Sequence, residues 1–260
     1  MSSDLATTAP ARRRWAARLL GLLAAAPLVV LPVRALAETW RAPSLLPQTF
    51  STRGFAVLVA SGTRAAEAVT NSLLVALVTV LVALVLGWPA ARSLAAAPRG
   101  RRLVATVLLA LPLLVSPFAT GVGLTEWFIR LGLTDTIAGL ALAHLVYVLP
   151  YVVLLLAPGF SHGVDDLEEA AAVLGAPPAR RLALVVAPAV APTLAAALLL
   201  GFLVSWSQYG TSLAVGAGIP MLPLVLLPFI GRDPQVAAAL SLVFLVPALA
   251  ALAATVRRER

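Results

Sequence analysis

Long uninterrupted apolar windows dominate this sequence and constrain its fold more than any other feature. A hydrocarbon core about 30 Å thick is crossed by about 20 apolar residues of α-helix. Six windows qualify, and they run over roughly Leu19–Ala37, Val69–Ala90, Leu103–Gly123, Thr136–Gly159, Leu182–Ser205 and Gln235–Val256. The sequence therefore predicts an all-α, polytopic membrane protein with six transmembrane helices in a lipid bilayer. An N-terminal signal peptide is the alternative for the first window, which we expect to be an uncleaved anchor.

Composition excludes the main alternatives to a membrane protein. Of the 260 residues, 61% are hydrophobic and only 12% are charged, and the mean hydropathy is +0.99. Soluble domains average about 45–50% apolar and about 25% charged residues. A soluble fold of this length cannot bury so much apolar surface, and a disordered chain would need the opposite composition.

Missing residue types exclude several kinds of chemistry. Every basic residue is an arginine, so the chain cannot form a Walker A loop, whose lysine contacts the phosphates of ATP. There is no cysteine, and the only histidines are His144 and His162. Thiolate metal sites are therefore excluded, and no metal or cofactor site is predicted. We expect no catalytic residues and no enzymatic activity in this chain.

The arginines are distributed unequally between the predicted loops. With the N-terminus in the cytoplasm, 13 of the 19 arginines fall on the cytoplasmic side, in segments 12–18, 92–102, 180–181 and 257–260. Cytoplasmic loops of membrane proteins carry such an excess, so both termini are predicted to be cytoplasmic. The net charge of +8 is then explained by topology, and no nucleic-acid partner is expected.

Four of the 11 acidic residues lie together in the predicted cytoplasmic loop after the fourth window. They are Asp165, Asp166, Glu168 and Glu169. Asp165 and Glu168 have the spacing of a capping box, which predicts a helix that starts at Asp165. Leu167, Ala171 and Leu174 would then form a shallow apolar stripe, and Gly175 would end the helix. Because isolated helices of about ten residues are marginal in water, we expect a protein partner on this face.

This loop resembles the EAA motif of ABC importer permeases. Glu169, Ala170 and Ala171 are followed by Gly175, and Pro188 stands thirteen positions after that glycine. Further landmarks of the same kind are Asn71-Ser72-Leu73, Pro89-Ala90 and Leu149-Pro150. Two positions depart from the usual pattern, because Leu174 stands where an acid is frequent and Ala187 where leucine is common. The polar contacts of the docking surface are therefore left open.

The resemblance implies a type I, MetI-like permease in the bacterial inner membrane. Its EAA helix would dock on a separate ATP-binding subunit, present in two copies, through Asp165, Glu168, Glu169, Ala170, Ala171, Leu174 and Gly175. A second permease, identical or homologous, and an extracytoplasmic solute-binding protein would complete the importer.

The resemblance also suggests a domain organisation. Residues 1–68 would hold the cytoplasmic N-terminus, the first transmembrane helix and an outside connection. Residues 69–256 would form the permease core with the coupling loop at 160–181, and residues 257–260 a cytoplasmic tail.

A few polar residues within the predicted spans are candidates for the solute path. They are His144, Tyr147, Ser205, Gln208 and Tyr209. Polar side chains inside a bilayer are frequently functional, although interhelical hydrogen bonds and interfacial aromatic belts are the alternatives. The solute itself is open, and polyamine, iron and thiamine importers are analogues at the level of fold only. A self-contained secondary carrier is the alternative function, but no carboxylate lies centrally in any predicted span.

Overall fold

The computed structural model describes residues 11–60, 64–160 and 162–258, and most of them are helical. The α-helices, in chain order, are α1 Ala11–Leu36, α2 Arg53–Val59, α3 Ala65–Ala96, α4 Arg99–Ala110, α5 Pro117–Arg130, α6 Ile137–Leu156, α7 His162–Val173, α8 Pro178–Arg181, α9 Ala187–Ala189, α10 Ala191–Trp206, α11 Gly210–Val215, α12 Leu222–Arg232 and α13 Pro234–Arg258. Short 3₁₀ turns cover Leu111–Leu114 and Ala157–Gly159, and a π-helical turn covers Leu182–Val186. The two strands are β1 Ala37–Thr39 and β2 Thr49–Phe50.

Two helices among the described residues, α3 and α6, are long and apolar enough to cross a membrane alone. Two bent pairs, Arg99–Leu114 with Pro117–Arg130 and Pro178–Ala189 with Ala191–Trp206, pass the same test together, which allows up to four spans. α12 and the segment Pro234–Ala250 of α13 are shorter apolar helices. The count of six spans stays a prediction.

The third and fifth predicted windows are not continuous helices, which corrects the sequence-based prediction. The bend between α4 and α5 is 92°, and the bend before α10 is 77°. Pro112 and Pro117 lie at the first break, and Pro188 and Pro192 flank the second. Each proline removes a backbone donor and clashes with the preceding turn, so the helix breaks where two of them cluster. By contrast, the single Pro150 lies within α6 without ending it.

The described residues divide into two compact units, one from the ranges Arg64–Val225 and Pro247–Arg260, the other from Met1–Thr63 and Leu226–Val246. In the first unit the main core forms where α3, α6 and α10 pack together. Val80, Val148 and Val152 are buried there, and Gly201 of α10 faces them. A Cβ atom on Gly201 would lie 3.2 Å from the side chains of Val148 and Val152. The missing side chain thus lets α10 approach α6 closely, which is typical of helix packing in membranes.

Polar residues at the start of α3 fix the segment that follows α11 in the same unit. The amide of Asn71 donates to the carbonyl oxygen of Pro220 at 3.1 Å, and the backbone N–H of Leu222 donates to the hydroxyl of Ser72 at 2.8 Å. The N–H of Gly218 likewise donates to a carboxylate oxygen of Asp135 at 2.8 Å. These contacts satisfy backbone groups that regular helix cannot, so this Gly- and Pro-rich segment stays broken.

The second unit contains a short antiparallel ribbon of β1 and β2, which the sequence did not predict. α13 begins with a cap, in which Asp233 accepts from the N–H of Val236 at 3.3 Å and Pro234 takes the first helical position. Asp233 also forms a bidentate pair with Arg53 of α2, at 2.6 and 3.0 Å. The hydrogen bond from this guanidinium holds the pKa of Asp233 below its ordinary value.

Candidate functional site

A helix is present where the coupling helix is predicted: it is α7, which we call the docking helix after that prediction. It begins at His162 and not at Asp165, so the predicted capping box is wrong. Asp165 and Glu168 lie within the helix and face Arg92 of α3. The guanidinium Nη2 of Arg92 lies 2.5 Å from the Glu168 carboxylate and 3.8 Å from that of Asp165. An ion pair with another element therefore takes the place of the predicted local cap.

The C-terminal end of the docking helix matches the prediction at Gly175. This residue has φ +81°, in the left-handed region that only glycine adopts at little cost. Its N–H bonds to the carbonyl of Ala172 at 2.9 Å, and the N–H of Ala176 bonds to that of Ala171 at 3.0 Å. This pair of bonds is a Schellman motif, which satisfies the last carbonyls and turns the chain sharply.

One side of the docking helix is anchored to the core of its unit. Phe160, just before the helix, stands edge-on to Trp88 of α3, with ring centroids 5.1 Å apart and an interplanar angle of 87°. Val164 is buried in the same core cluster. A cavity of about 650 Å³ lies beside this anchor, and Arg92, Arg102 and Asp165 are among the residues that line it.

The other side of the docking helix is exposed to solvent. Leu167 is 56% exposed, Val173 83% and Leu174 87%. Glu169 and Ala170 are exposed, and Ala171 is half-buried. A short capped helix that is anchored on one side and presents leucine and alanine on the other can bind a complementary protein surface.

Three of the solute-path candidates belong to one buried polar cluster. His144 of α6 is fully buried, with Nδ1 2.9 Å from the hydroxyl of Ser205 and Nε2 3.0 Å from that of Ser212. Ser212 donates its proton to the carbonyl of Gln208 at 2.6 Å, so it must accept from Nε2–H of His144. In a neutral imidazole, Nδ1 is then the acceptor for the hydroxyl of Ser205. His144 thereby connects α6 to α10 and α11.

The other two candidates lie apart from this cluster. Tyr147 is buried, and its hydroxyl lies 2.7 Å from that of Thr120 and donates to the carbonyl of Val115 at 2.9 Å. It therefore holds the bend between α4 and α5. Tyr209 is 37% exposed and lies at the start of α11.

Sequence reasoning missed Arg92, Trp88, Phe160 and Ser212. Trp88 and Arg92 are four apart, which puts them on one face of α3, and this spacing was the available signal. Ser212 stands four residues after Gln208 on the same helical face. Within the residues that the structure describes, no group of three His, Cys, Asp or Glu side chains could hold a metal ion.

The fold and this helix define a class, a multi-pass helical membrane protein that presents a short helix with an exposed apolar side. The chain belongs to the family described as binding-protein-dependent transport system inner membrane component, which matches residues 83–257. It is a type I, MetI-like permease subunit of an ABC importer, located in the inner membrane, and a secondary carrier has no support.

Individual relatives agree with this family. The chain is 36% identical over 205 residues to a putative ABC transporter permease of Streptomyces antibioticus, with 74% of this chain and 86% of that one covered. It is 33% identical over 155 residues to the trehalose transport system permease protein SugB of Mycobacterium tuberculosis, with 58% and 55% covered. The crystal structure of a bacterial ABC transporter involved in the import of the acidic polysaccharide alginate matches 98% of this chain and 99% of its own, with a TM-score of 0.73 and 20% identity. The last likeness concerns the fold alone.

Proposed function

We propose that this permease subunit forms part of a solute path and is driven through its docking helix by a separate ATP-binding subunit. The exposed apolar side of this helix, with Leu167, Val173 and Leu174, is the observation that carries the proposal. Such a surface is costly in water and is stabilised when another protein covers it. Glu169, Ala170 and Ala171 lie on the same short helix, at the positions of the EAA motif.

The proposed assembly has three kinds of subunit interaction. Two ATP-binding subunits bind the docking helices of two permeases, and the second permease is a copy of this chain or a homologue. A solute-binding protein delivers the solute on the outer side. ATP is hydrolysed in the ATP-binding subunits only, in keeping with the absence of lysine for a Walker A loop in this chain.

Substitution of Ala170 tests the docking surface without changing the core. Ala170 is exposed, so Ala170→Trp should leave the fold intact while preventing the close approach of a partner. Ala217, an exposed alanine after α11, provides the matched control Ala217→Trp. The permease would be produced with the ATP-binding subunit of its own transport system, purified through a tag on the permease, and assayed for ATP hydrolysis.

The proposal expects wild type and Ala217→Trp to retain the ATP-binding subunit and hydrolyse ATP. Ala170→Trp should reach the membrane in normal amounts and lose the subunit. If Ala170→Trp retains it with normal hydrolysis, the docking helix is not the contact surface.

For the solute path, we propose the region around the C-terminal end of α10, with His144, Tyr147, Ser205, Gln208 and Tyr209. In the present conformation the first four are buried and only Tyr209 is accessible. A solute would therefore reach Gln208 only in a state that opens this cluster. Gln208→Cys should then react with a membrane-impermeant thiol reagent in one nucleotide state only. If Gln208→Cys reacts in no nucleotide state while Tyr209→Cys reacts, the solute path lies elsewhere.

We propose no particular solute for this importer. The relatives and the matching structure are named for trehalose, sulfate and alginate, which are a neutral sugar, an inorganic anion and an acidic polysaccharide. These chemistries share no recognition group, so they favour no single solute for this chain.

A further inference from the structure

Arg92 contacts the docking helix from a different element. It lies in the last turns of α3, and its guanidinium bridges Glu168 at 2.5 Å and Asp165 at 3.8 Å. The two acids are three positions apart and therefore share one face of the docking helix. The Glu168 side chain is 18% exposed, compared with 52% for Asp165. Glu168 is thus the more sheltered partner and gives the stronger interaction.

A second contact connects the same face of α3 to the root of the docking helix. Trp88 precedes Arg92 by one helical turn, and its ring meets Phe160 edge-on. Phe160 is 6% exposed, so this contact is buried. The docking helix is therefore joined to α3 at two points, an aromatic contact before its first residue and an ionic contact in its middle.

The two contacts have different consequences for movement. Phe160 and the buried Val164 hold the first turn of the docking helix, and contacts so close together restrain its direction less than a contact further along the helix. The ion pair of Arg92 and Glu168 lies further along and restrains the direction of the helix relative to α3. A cavity of about 650 Å³ lies beside Arg92 and Asp165.

We propose that Arg92 is a positioning residue that fixes the docking helix to the end of α3, so that a movement of the helix is passed to this span. The transmission of movement rests on the proposed docking to an ATP-binding subunit. The positioning of the docking helix by Arg92 involves this chain alone and is testable without a partner or a solute.

The position of the docking helix can be measured by pulsed EPR because the chain has no native cysteine. Spin labels at Leu73→Cys in α3 and Val173→Cys in the docking helix are on side chains that are 43% and 83% exposed. Leu73 lies roughly 28 Å from Arg92 along the helix axis, at about 1.5 Å per residue. The label-to-label distance therefore reports the direction of the docking helix relative to α3.

We expect one narrow distance for this labelled chain and a loss of about fivefold in that population for Arg92→Glu. The exchanged pair Arg92→Glu with Glu168→Arg should restore the narrow distance. Arg92→Gln should lose the narrow distance and Arg92→Lys should largely keep it. This comparison separates the effect of the positive charge from a general effect of substitution on folding. Arg101→Glu, the same charge change at an exposed arginine of α4, should have no effect. A narrow distance in both Arg92→Glu and Arg92→Gln, or no recovery in the exchanged pair, would overturn the proposal.

Transmission is measured in the complex with a single label at Leu73→Cys. ATP with vanadate should change the mobility of this label in the wild-type background and in the exchanged pair, but not in Arg92→Glu. If the wild-type permease binds no ATP-binding subunit, the proposed function is wrong. If it binds and Arg92→Glu transmits normally, only the inference about Arg92 is wrong.

Discussion

His144 and Ser212 lie 68 positions apart in the sequence, yet Nε2 of the histidine and the hydroxyl of the serine are 3.0 Å apart in a fully buried cluster. The hydroxyl proton of Ser212 goes to the carbonyl of Gln208, so the histidine must be the donor. Both nitrogens of the ring are therefore paired, and the histidine connects three helices. Such pairing is what a buried polar side chain needs to be tolerated in an apolar core.

Substitution Ser212→Ala should destabilise the protein, because Nε2–H of His144 loses its only hydrogen-bond acceptor described here. An unsatisfied buried donor costs about 1–3 kcal/mol. Ser207→Ala is the control, since Ser207 is exposed and its hydroxyl bonds only to its own turn, at Val204, among the described contacts. Thermal unfolding in detergent should show a clear decrease for Ser212→Ala and a change within about 0.5 kcal/mol for the control. Equal stability of the two variants would contradict this hydrogen-bond assignment.

Features that depend on neighbouring residues were predictable from the sequence. α3 and α6 followed from apolar length and the end of the docking helix from Gly175, and Asp233 with Pro234 is a local signal for the start of α13. The clustered prolines are a local signal of the same kind, although the third and fifth windows were predicted as continuous spans. Each of these rests on the chemistry of a few consecutive residues. The family resemblance, carried by the spacing from Glu169 to Pro188, is of the same kind.

Contacts between distant residues were not predictable. Arg92 and Glu168 are 76 positions apart, and a single sequence carries no signal that pairs them. The same contact explains why the predicted start of the docking helix was wrong. Asp165 and Glu168 have the spacing of a capping box, yet they bind an arginine of α3. The ribbon of β1 and β2 was missed because two strands of three and two residues have no hydrophobic period to detect.

Two glycines of α5 should respond in opposite ways to the same substitution. A Cβ atom on Gly121 would lie 2.7 Å from the Cβ of Ala214 and 3.1 Å from Cα of Thr211, whereas a Cβ on Gly123 would meet nothing within 4 Å. Gly121→Ala should force α5 and α11 apart and cost about 1–3 kcal/mol. Gly123→Ala should be neutral or stabilising by up to about 1 kcal/mol, through helix propensity. Thermal unfolding compares the two variants directly, and the reverse order of stability would contradict the close packing.

The pair of Arg53 and Asp233 should make the stability depend on acid pH. The pKa of Asp233 is lowered in the folded protein by its hydrogen bonds from Arg53. The pair therefore contributes stability above about pH 4, the range of an unfolded aspartate, and loses it as the pH falls through the lowered pKa. With side chains 47% and 26% exposed, we expect no more than about 1 kcal/mol.

Two substitutions of Asp233 separate this pair from the helix cap. Asp233→Asn removes the charge but keeps an oxygen that can cap α13, while Asp233→Ala removes both. Between pH 7 and pH 3 the advantage of wild type over Asp233→Asn should decrease, and Asp233→Ala should be less stable than Asp233→Asn at both values. A difference between wild type and Asp233→Asn that does not change with pH would show that the ion pair contributes nothing.

The predicted orientation follows from the arginine distribution and can be tested with single cysteines. Val173→Cys, in the docking helix, should react with a membrane-impermeant thiol reagent only when the cytoplasmic side is open. Glu126→Cys, near the C-terminal end of α5, should react in intact cells or spheroplasts. Both side chains are strongly exposed, at 83% and 74%, so access to the reagent decides the result. The opposite pattern would reverse the topology and place the docking helix on the wrong side for an ATP-binding subunit.

Gly175 should control the end of the docking helix through its backbone and not through packing. A Cβ atom there would meet nothing within 4 Å, but φ is +81°, where a β-branched residue is strongly disfavoured. Gly175→Val should cost roughly 1–2 kcal/mol locally, break the Schellman motif and redirect the chain between Ala176 and α8. Because the core of α3, α6 and α10 is untouched, membrane insertion and the amount of protein should be normal, while association with the ATP-binding subunit should decrease. Gly175→Asn is the discriminating control, since asparagine tolerates left-handed backbone and should retain most of the association. If valine and asparagine behave alike, the left-handed turn does not decide how the docking helix is presented.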